Sequence, residues 1–547
     1  RTQLHLRSEH VTPVAPLPLP AAEPSLEEVL GSPAVQLFEQ RAKQAKPGFA
    51  ITPDTAPAIA EICTRLDGLP LAIELVAPAI RMLPPDALAE RLSQRLQVVV
   101  GDVDLPERQR TLTATLDWSH DLLDEREKRA LARLSVFAGG FTLDAAEAVC
   151  AGPDEPDVLQ RLASLIDKSL VVPDEDAAGR PRFRLLETVQ AYADAKLRER
   201  GETDDARRRH QAFFVDFCRT AGHGIRTDSE RAWYARIAAE DPNISAAAAR
   251  AEERGDVATI FQIVMPIWMY YLMTNQNSEK SASGERFYAD ALPLADEARA
   301  GLAFSVGGLR IARGGVDLAE AIPPLTEAVA LWRRLGRRLY EADTEVYLGI
   351  ASTPDRTHLV RAAALYRQLG DIWGMAWVQY ILGWNALTNG DRAGARAALD
   401  EALRLARRID STWLAGSALC MLGLLALAEG ADDEARASLT DATERLLGIY
   451  DREGLADCLS GFAALSLRAG DADEAATLLG AADAMRERTG YFSSVKTIAI
   501  LRSIAREVRA GFGDDTFQAA HTAGARLRTR EAVARAVDRF GVRSAGA

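Results

Sequence analysis

Hydrophobic residues recur along most of this chain at the roughly 3.6-residue period of one helix face. From residue 25 to residue 100, Ala56, Ile59, Ile62 and Leu66 mark one such face, and Leu71, Ile73, Leu75 and Val76 begin the next. Asp67-Gly68-Leu69-Pro70 separates the two, with a glycine suited to ending one helix and a proline suited to starting another. Ahead of these helices, Arg1 to Pro24 carries Leu4, Leu6, Val11 and Val14 among Pro13, Pro16, Pro18 and Pro20, which predicts a short strand entering an extended linker. Further along, helices are predicted over 111–123, 125–137, 143–151 and 156–168, the last with the stripe Val158, Leu159, Leu162, Leu165 and Ile166. Leu170-Val171-Val172 and Phe183-Arg184-Leu185-Leu186 then flank a polar loop containing Gly179. Two short strands after a set of helices predict a small winged-helix unit, closed by a helix over 187–200.

Beyond Gly301 the pattern repeats. Asn389-Gly390-Asp391, Glu429-Gly430-Ala431 and Ala469-Gly470-Asp471 follow one another at intervals of 40 residues, each between two helical runs. Small residues return after each turn: Ala395, Ala398 and Ala402, then Ala435, Ala437 and Ala442, then Ala475, Ala476 and Ala481. Such side chains let neighbouring helices approach closely, so a solenoid of helical hairpins is expected. An earlier, more degenerate unit runs from Gly308 to Leu335, another begins at Leu348-Gly349, and 531–540 is expected to be a final capping helix. The uncharged stretch Val257 to Thr274 is about one membrane span long. Gln262 and Pro266 interrupt it and ordinary helix-end residues flank it, so it is read as a buried core helix and no membrane is expected.

Composition narrows the classes. A chain of 547 residues outgrows one hydrophobic core, so several packed units are expected. The formal charge of −13 repels phosphate backbones, and direct DNA binding would need a locally basic face. The clusters Arg207-Arg208-Arg209-His210 and Arg333-Arg334 with Arg337-Arg338 lie beside acidic segments without interleaved aromatics, and read as solvated helix faces. Cys63, Cys150, Cys218, Cys420 and Cys458 are widely spaced, with no CxxC pair, which fits buried thiols in a cytoplasmic protein. No signal peptide is visible, and a start at Arg1 rather than Met leads us to expect a portion of a longer chain.

Catalytic motifs are missing. No Gly-Lys dipeptide occurs, so the phosphate loop is absent, and with it the lysine and hydroxyl that hold phosphates and magnesium. The apolar run before Asp174-Glu175-Asp176 reads as a wing strand entering a solvated turn rather than a magnesium-binding strand. No Gly-x-Ser-x-Gly elbow appears. The histidines at 5, 10, 120, 210, 223, 358 and 521 never stand at metal-ligand spacing, so no catalytic residue and no metal site is expected.

Leu66-Asp67-Gly68-Leu69-Pro70-Leu71-Ala72-Ile73-Glu74-Leu75 resembles the GLPLA motif of NB-ARC and related STAND NTPases, especially the ATPases assigned to actinobacterial transcriptional regulators. Runs around Arg110–Ser119, Leu134–Leu143, Leu165–Leu170 and Phe183–Val189 resemble that family's winged helix, and the solenoid is similar to the tetratricopeptide arrays that follow it. The resemblance implies an ATPase core upstream of residue 1. Arg1 would match the sensor-strand arginine that approaches the γ-phosphate, Pro70 the proline that packs on the nucleotide, and Gly68 and Leu69 the turn beside it. A plain helix-breaking turn explains Gly68 to Pro70 equally well. Where many relatives have Met-His-Asp, this chain has Leu185-Leu186-Glu187, so the diphosphate-reading histidine is missing and interdomain packing is left as the lock on the resting state.

The expected fold is mainly α: the end of the NTPase core and a linker over 1–32, a helical lid over 33–100, a winged helix with a small β-hairpin over 101–202, a helical connector over 203–300, and a tetratricopeptide-like α-solenoid over 301–547. The expected function is the regulatory and sensing portion of a STAND-type ATPase. No cofactor is expected in these residues, and ATP or ADP only in the full-length protein. A protein partner or small-molecule inducer would bind the repeats, the upstream NTPase domain would be the other partner, and activation would bring oligomerisation. A nucleotide-independent scaffold and a winged-helix DNA-binding regulator are the alternatives, the second weakened because 156–168 offers only Arg161 and Lys168 as basic side chains.

Overall fold

A computed structural model describes residues 16–20, 25–81, 83–94, 112–151, 157–168, 170–274, 285, 288, 294–312, 318–449, 451–489, 497–510 and 514–540. The chain folds as two compact units, Arg1–Phe214 with Ala239–Ala247 and Val215–Ala238 with Ala248–Ala547. Helices dominate both, as the apolar periodicity predicts, and the described strands form one two-stranded sheet.

In the first unit, helices Pro33–Ala45, Ala56–Arg65, Pro70–Val76 and Pro85–Gln94 close around Phe38, Ile59, Ile62, Ile73 and Leu88, all buried. Prolines stand in the first turns of Pro33–Ala45, Ala56–Arg65 and Pro70–Val76, where a missing amide hydrogen costs nothing. The next group is Leu112–Asp121, Glu125–Leu134, Leu143–Cys150 and Val158–Asp167, then strands β1 (Val172–Glu175) and β2 (Pro181–Arg184), then Glu187–Glu199. The strands pair antiparallel, with Val172 opposite Arg184. They lie closer to the loop than the apolar runs predict. Leu170 and Val171 are buried in the core instead of joining the ladder. The Asp176 carboxylate accepts the amides of Ala178 and Arg180 at 2.9 and 3.0 Å, a side-chain turn that folds the polar residues back on each other.

In the second unit, hairpins repeat at the 40-residue interval: Ile372–Thr388 with Arg392–Arg408, Thr412–Glu429 with Asp432–Gly448, and Arg452–Arg468 with Ala472–Thr489. Earlier hairpins, Ile322–Arg334 with Arg338–Ala351 and Thr357–Leu369 before Ile372, extend the array. Close approach explains its glycines. A Cβ on Gly383 would sit 2.6 Å from Leu399, and one on Gly423 would sit 2.7 Å from Leu439, the same pair one repeat on. Ala395, Ala402, Ala435, Ala442, Ala475, Ala476 and Ala481 are buried as expected, whereas Ala437 is exposed and Ala398 half-buried, because they face away from the partner helix.

The apolar run from Val257 is broken rather than continuous. Pro266, which lacks an amide hydrogen, sits in a 3-10 turn between Val257–Val264 and Trp268–Thr274. Its Phe261, Ile263, Met265 and Ile267 are buried, as a core helix requires. Thr412–Glu429 is the one described helix long and apolar enough to cross a membrane, and 83% of it is buried inside the protein. All five cysteines are buried and none forms a disulfide.

Candidate functional site

The turn at Gly68 is the first place where sequence predicts function. Asp67 and Gly68 both adopt left-handed backbone, with φ of 54° and 63°, so the chain reverses between two helices within two residues. Gly68 is required: its carbonyl accepts the Leu17 amide at 2.9 Å, and a Cβ there would lie 2.2 Å from the Leu17 carbonyl oxygen. The linker segment is therefore laid across the turn, and Ser32 fixes it by donating its hydroxyl to the Pro18 carbonyl at 2.8 Å. Leu69 is half-buried and Pro70 exposed. Arg1, the fourth predicted nucleotide contact, lies outside the described residues.

Behind the turn, the Asp67 carboxylate accepts the amide and the hydroxyl of Thr188, both at 3.3 Å, at the start of helix Glu187–Glu199. Arg65 pairs with Glu61 at 2.7 Å and reaches Glu187 at 3.4 Å. Burial raises the pKa of Asp67 even though the backbone of Glu187 and Thr188 donates to it. Burial also raises that of Glu187, with Arg65 opposing and Asp67 reinforcing. At the position matching the family histidine, Leu186 is buried and caps this helix.

The repeats hold a second site that apolar spacing alone does not reveal. Helices Ile372–Thr388, Thr412–Glu429 and Arg452–Arg468 together line a recess of 130 Å³, open on one side. Trp373 and Trp413, one repeat apart, stack at 5.9 Å, Tyr380 meets Trp413 at 6.3 Å, and Trp377 meets Tyr347 at 5.8 Å. Asp451, Glu453 and Asp457 also line it. Asp451 is engaged structurally, accepting the Gly454 amide and the Trp413 indole, both at 3.1 Å. Asp457 pairs with Arg486 at 2.9 Å. Burial pushes the Asp451 carboxyl up to about 6, reinforced by Asp457, and raises those of Glu453 and Asp457. Among the described residues, no three His, Cys, Asp or Glu side chains cluster as metal ligands would.

In the winged-helix unit, the bases of 158–168 and of the wing are buried or paired. Arg161 is buried, and Lys168 is held by Glu127 at 2.7 Å. In the wing, Arg180 pairs with Asp176 and Arg182 with the buried Glu240, while Arg184 reaches Asp174 at 3.5 Å. What faces solvent on Val158–Asp167 is Leu159, Gln160 and Ala163. Behind the wing, the buried Asn243 side chain accepts the Ala138 amide and donates to the Gly140 carbonyl, both at 2.7 Å. It thereby pins the loop between two helices of the unit.

A family model for the winged helix-turn-helix domain matches residues 123–198. These residues are a winged helix-turn-helix domain. The chain is 36% identical over 392 residues to a Mycobacterium tuberculosis protein named "Putative HTH-type transcriptional regulator", an alignment covering 69% of this chain and 44% of that one. A second protein of the same organism, named "Uncharacterized protein", is 45% identical over 179 residues, 32% of this chain and 45% of its own length. The chain thus spans less than half the length of the curated relatives it matches. Among solved structures, the chain is similar to a STAND protein with a tetratricopeptide repeat sensor from Pyrococcus horikoshii, at 15% identity and a TM-score of 0.38, covering 90% of this chain and 71% of that one. The winged helix-turn-helix match accords with the resemblance read from the winged-helix runs. Within the winged helix-turn-helix domain, the bases of Val158–Asp167 and of the wing are already committed to burial or to carboxylates.

Proposed function

We propose that this chain is the regulatory and sensing portion of a STAND-type ATPase that controls transcription, with ligand or partner binding on the repeats coupled to the nucleotide state of a domain outside residues 1–547. The observation that carries the reading is the 36% identity over 392 residues with a protein named as an HTH-type regulator, an alignment far longer than the winged helix-turn-helix domain alone. In this reading the boundaries are a lid over 33–100, a winged helix over 101–202, a connector over 203–300 and the sensor over 301–547. Gly68, Leu69 and Pro70, with Arg1, contribute to nucleotide contact only when the ATPase core is present. Asp67 and Thr188 supply the lock that the missing histidine would supply in relatives, and activation releases it and permits oligomerisation. Because the bases of 158–168 and of the wing are paired or buried, we read that domain as a joint within the protein rather than a DNA-binding surface.

Transcript profiling tests this. Chromosomal Asp67→Asn with Thr188→Val removes the lock without altering a core side chain's volume, and a defined set of transcripts is expected to shift to the same level with or without inducing conditions. An unchanged transcript profile would contradict the regulatory reading.

A further inference from the structure

The 40-residue register makes the repeat recess unusual. Trp373 and Trp413 occupy the same position in successive hairpins, and the next residue in that series is Glu453. Likewise Trp377 and Ser417 are followed by Asp457. An aromatic rail therefore changes to carboxyls at one point, and the recess lies at that change. Aromatic faces carry negative quadrupole potential, so rail and carboxyls favour the same sign of ligand.

Charge around the recess is unbalanced. Asp457 pairs with Arg486, whose charge also reaches Glu453 and which donates to Ser460 Oγ at 2.9 Å and to Asp483 at 3.2 Å. Asp483 also accepts His521 at 3.0 Å, and neither Arg486 nor Asp483 lines the recess. Asp451 and Asp457 have partners of their own, which leaves Glu453 as the half-buried carboxyl lining the cavity without a hydrogen bond among the described residues. The volume, 130 Å³, is close to that of cavities of about 150 Å³ that take one benzene-sized group. The open side leaves room for a tail.

From this geometry we infer that the recess between Trp377, Trp413 and Glu453 binds an organic cation, an amine or quaternary ammonium head group, as the inducer of the sensing portion. The inference rests on the regulatory reading for the word inducer, and on the recess alone for the chemistry. The titration of the site agrees in direction. Burial raises all three carboxyls toward their neutral forms, and Arg486 only partly opposes this at Asp457 and Glu453. The other titratable side chains lining it, Tyr347, Tyr380 and Cys420, are held neutral, the tyrosines by burial and the thiol first by its hydrogen bond with Cys458. An entering cation would replace those protons, so its affinity should rise as pH increases through about 6, the value to which Asp451 is shifted.

The test uses the full chain and two probes of one shape, benzyltrimethylammonium and its uncharged carbon isostere neopentylbenzene. Binding is read by tryptophan fluorescence and by calorimetry at pH 5 and pH 8. The expected result is saturable binding of the ammonium at least tenfold tighter than the isostere, strengthening from pH 5 to pH 8. Glu453→Gln should abolish most of the tenfold preference, with an unchanged circular-dichroism melt as its folding control, and Glu401→Gln, on an exposed helix face, should leave it intact. Equal or tighter binding of the isostere would overturn the inference in favour of an apolar recess, and so would absence of binding by either probe. Those outcomes leave the regulatory reading standing, since the transcript profile of the Asp67 and Thr188 variant decides it independently.

Discussion

Glu230 is fully buried in the second unit, and burial pushes its carboxyl up to about 7. An unfolded glutamate titrates near about 4.3. The folded chain therefore keeps a proton that the unfolded chain releases, so this group's stabilisation is complete below about pH 4.3 and is lost as pH rises through about 7. At about 1.4 kcal/mol per pH unit, the loss is on the order of 4 kcal/mol. Glu230→Gln removes the titration, and urea unfolding should show the variant gaining on the wild type between pH 5 and pH 8. A constant difference across that range would place the carboxyl in solvent. Nothing in the sequence marks Glu230 as buried, because its neighbours Ser229 and Arg231 look like an ordinary polar helix start. Gly68 is the opposite case. A Gly-Leu-Pro turn between two apolar stripes is legible as a helix break, and the structure adds only what fills the space beside it, the Leu17 backbone.

Helices are readable from apolar spacing because each buries one face, and their capping residues follow a second rhythm. Asp371, Asp391, Ser411, Asp451 and Asp471, at multiples of 20 residues, each accept a backbone amide in the first turn of a repeat helix. Ala431 alone breaks the series. The same arithmetic would have revealed the recess, since aligning Trp373, Trp413 and Glu453 needs only the glycine turns as a ruler. What no spacing could reveal is Arg226. It lies before the repeats in sequence, yet pairs with Asp343 at 3.2 Å and Asp371 at 2.5 Å and covers the Trp373 ring at 4.5 Å. Tyr366 donates to the same Asp343 at 2.6 Å. Arg226→Met leaves the buried Asp343 and the half-buried Asp371 without their cation, at a cost of about 3–5 kcal/mol. The solvent-exposed pair Arg404 and Glu401 supplies the contrast, because Arg404→Met should leave the denaturant midpoint almost where it was. Urea unfolding of the two variants separates the cases, and equal midpoint shifts would mean that Arg226 is no anchor.

At the scale of the molecule, the sequence carries the fold class because both units are built from local periodicity: hairpins follow from glycine turns and the wing from one polar turn between short strands. Function is less legible. Gly68, Leu69 and Pro70, proposed to meet nucleotide, shape a turn that needs no ligand to explain it, while the recess depends on side chains from five helices, from Ile311 to Asp457. The central claim is that nucleotide state and the repeats are coupled, which requires an arrangement that both bias. Hydrogen exchange of the full natural polypeptide, saturated with ATP in one sample and ADP in the other, tests it most directly. Coupling predicts that amides of helices Ile372–Thr388, Thr412–Glu429 and Arg452–Arg468 exchange at different rates in the two states, together with those of Glu187–Glu199. Identical exchange in the repeats under both nucleotides would contradict the account and leave a scaffold in its place.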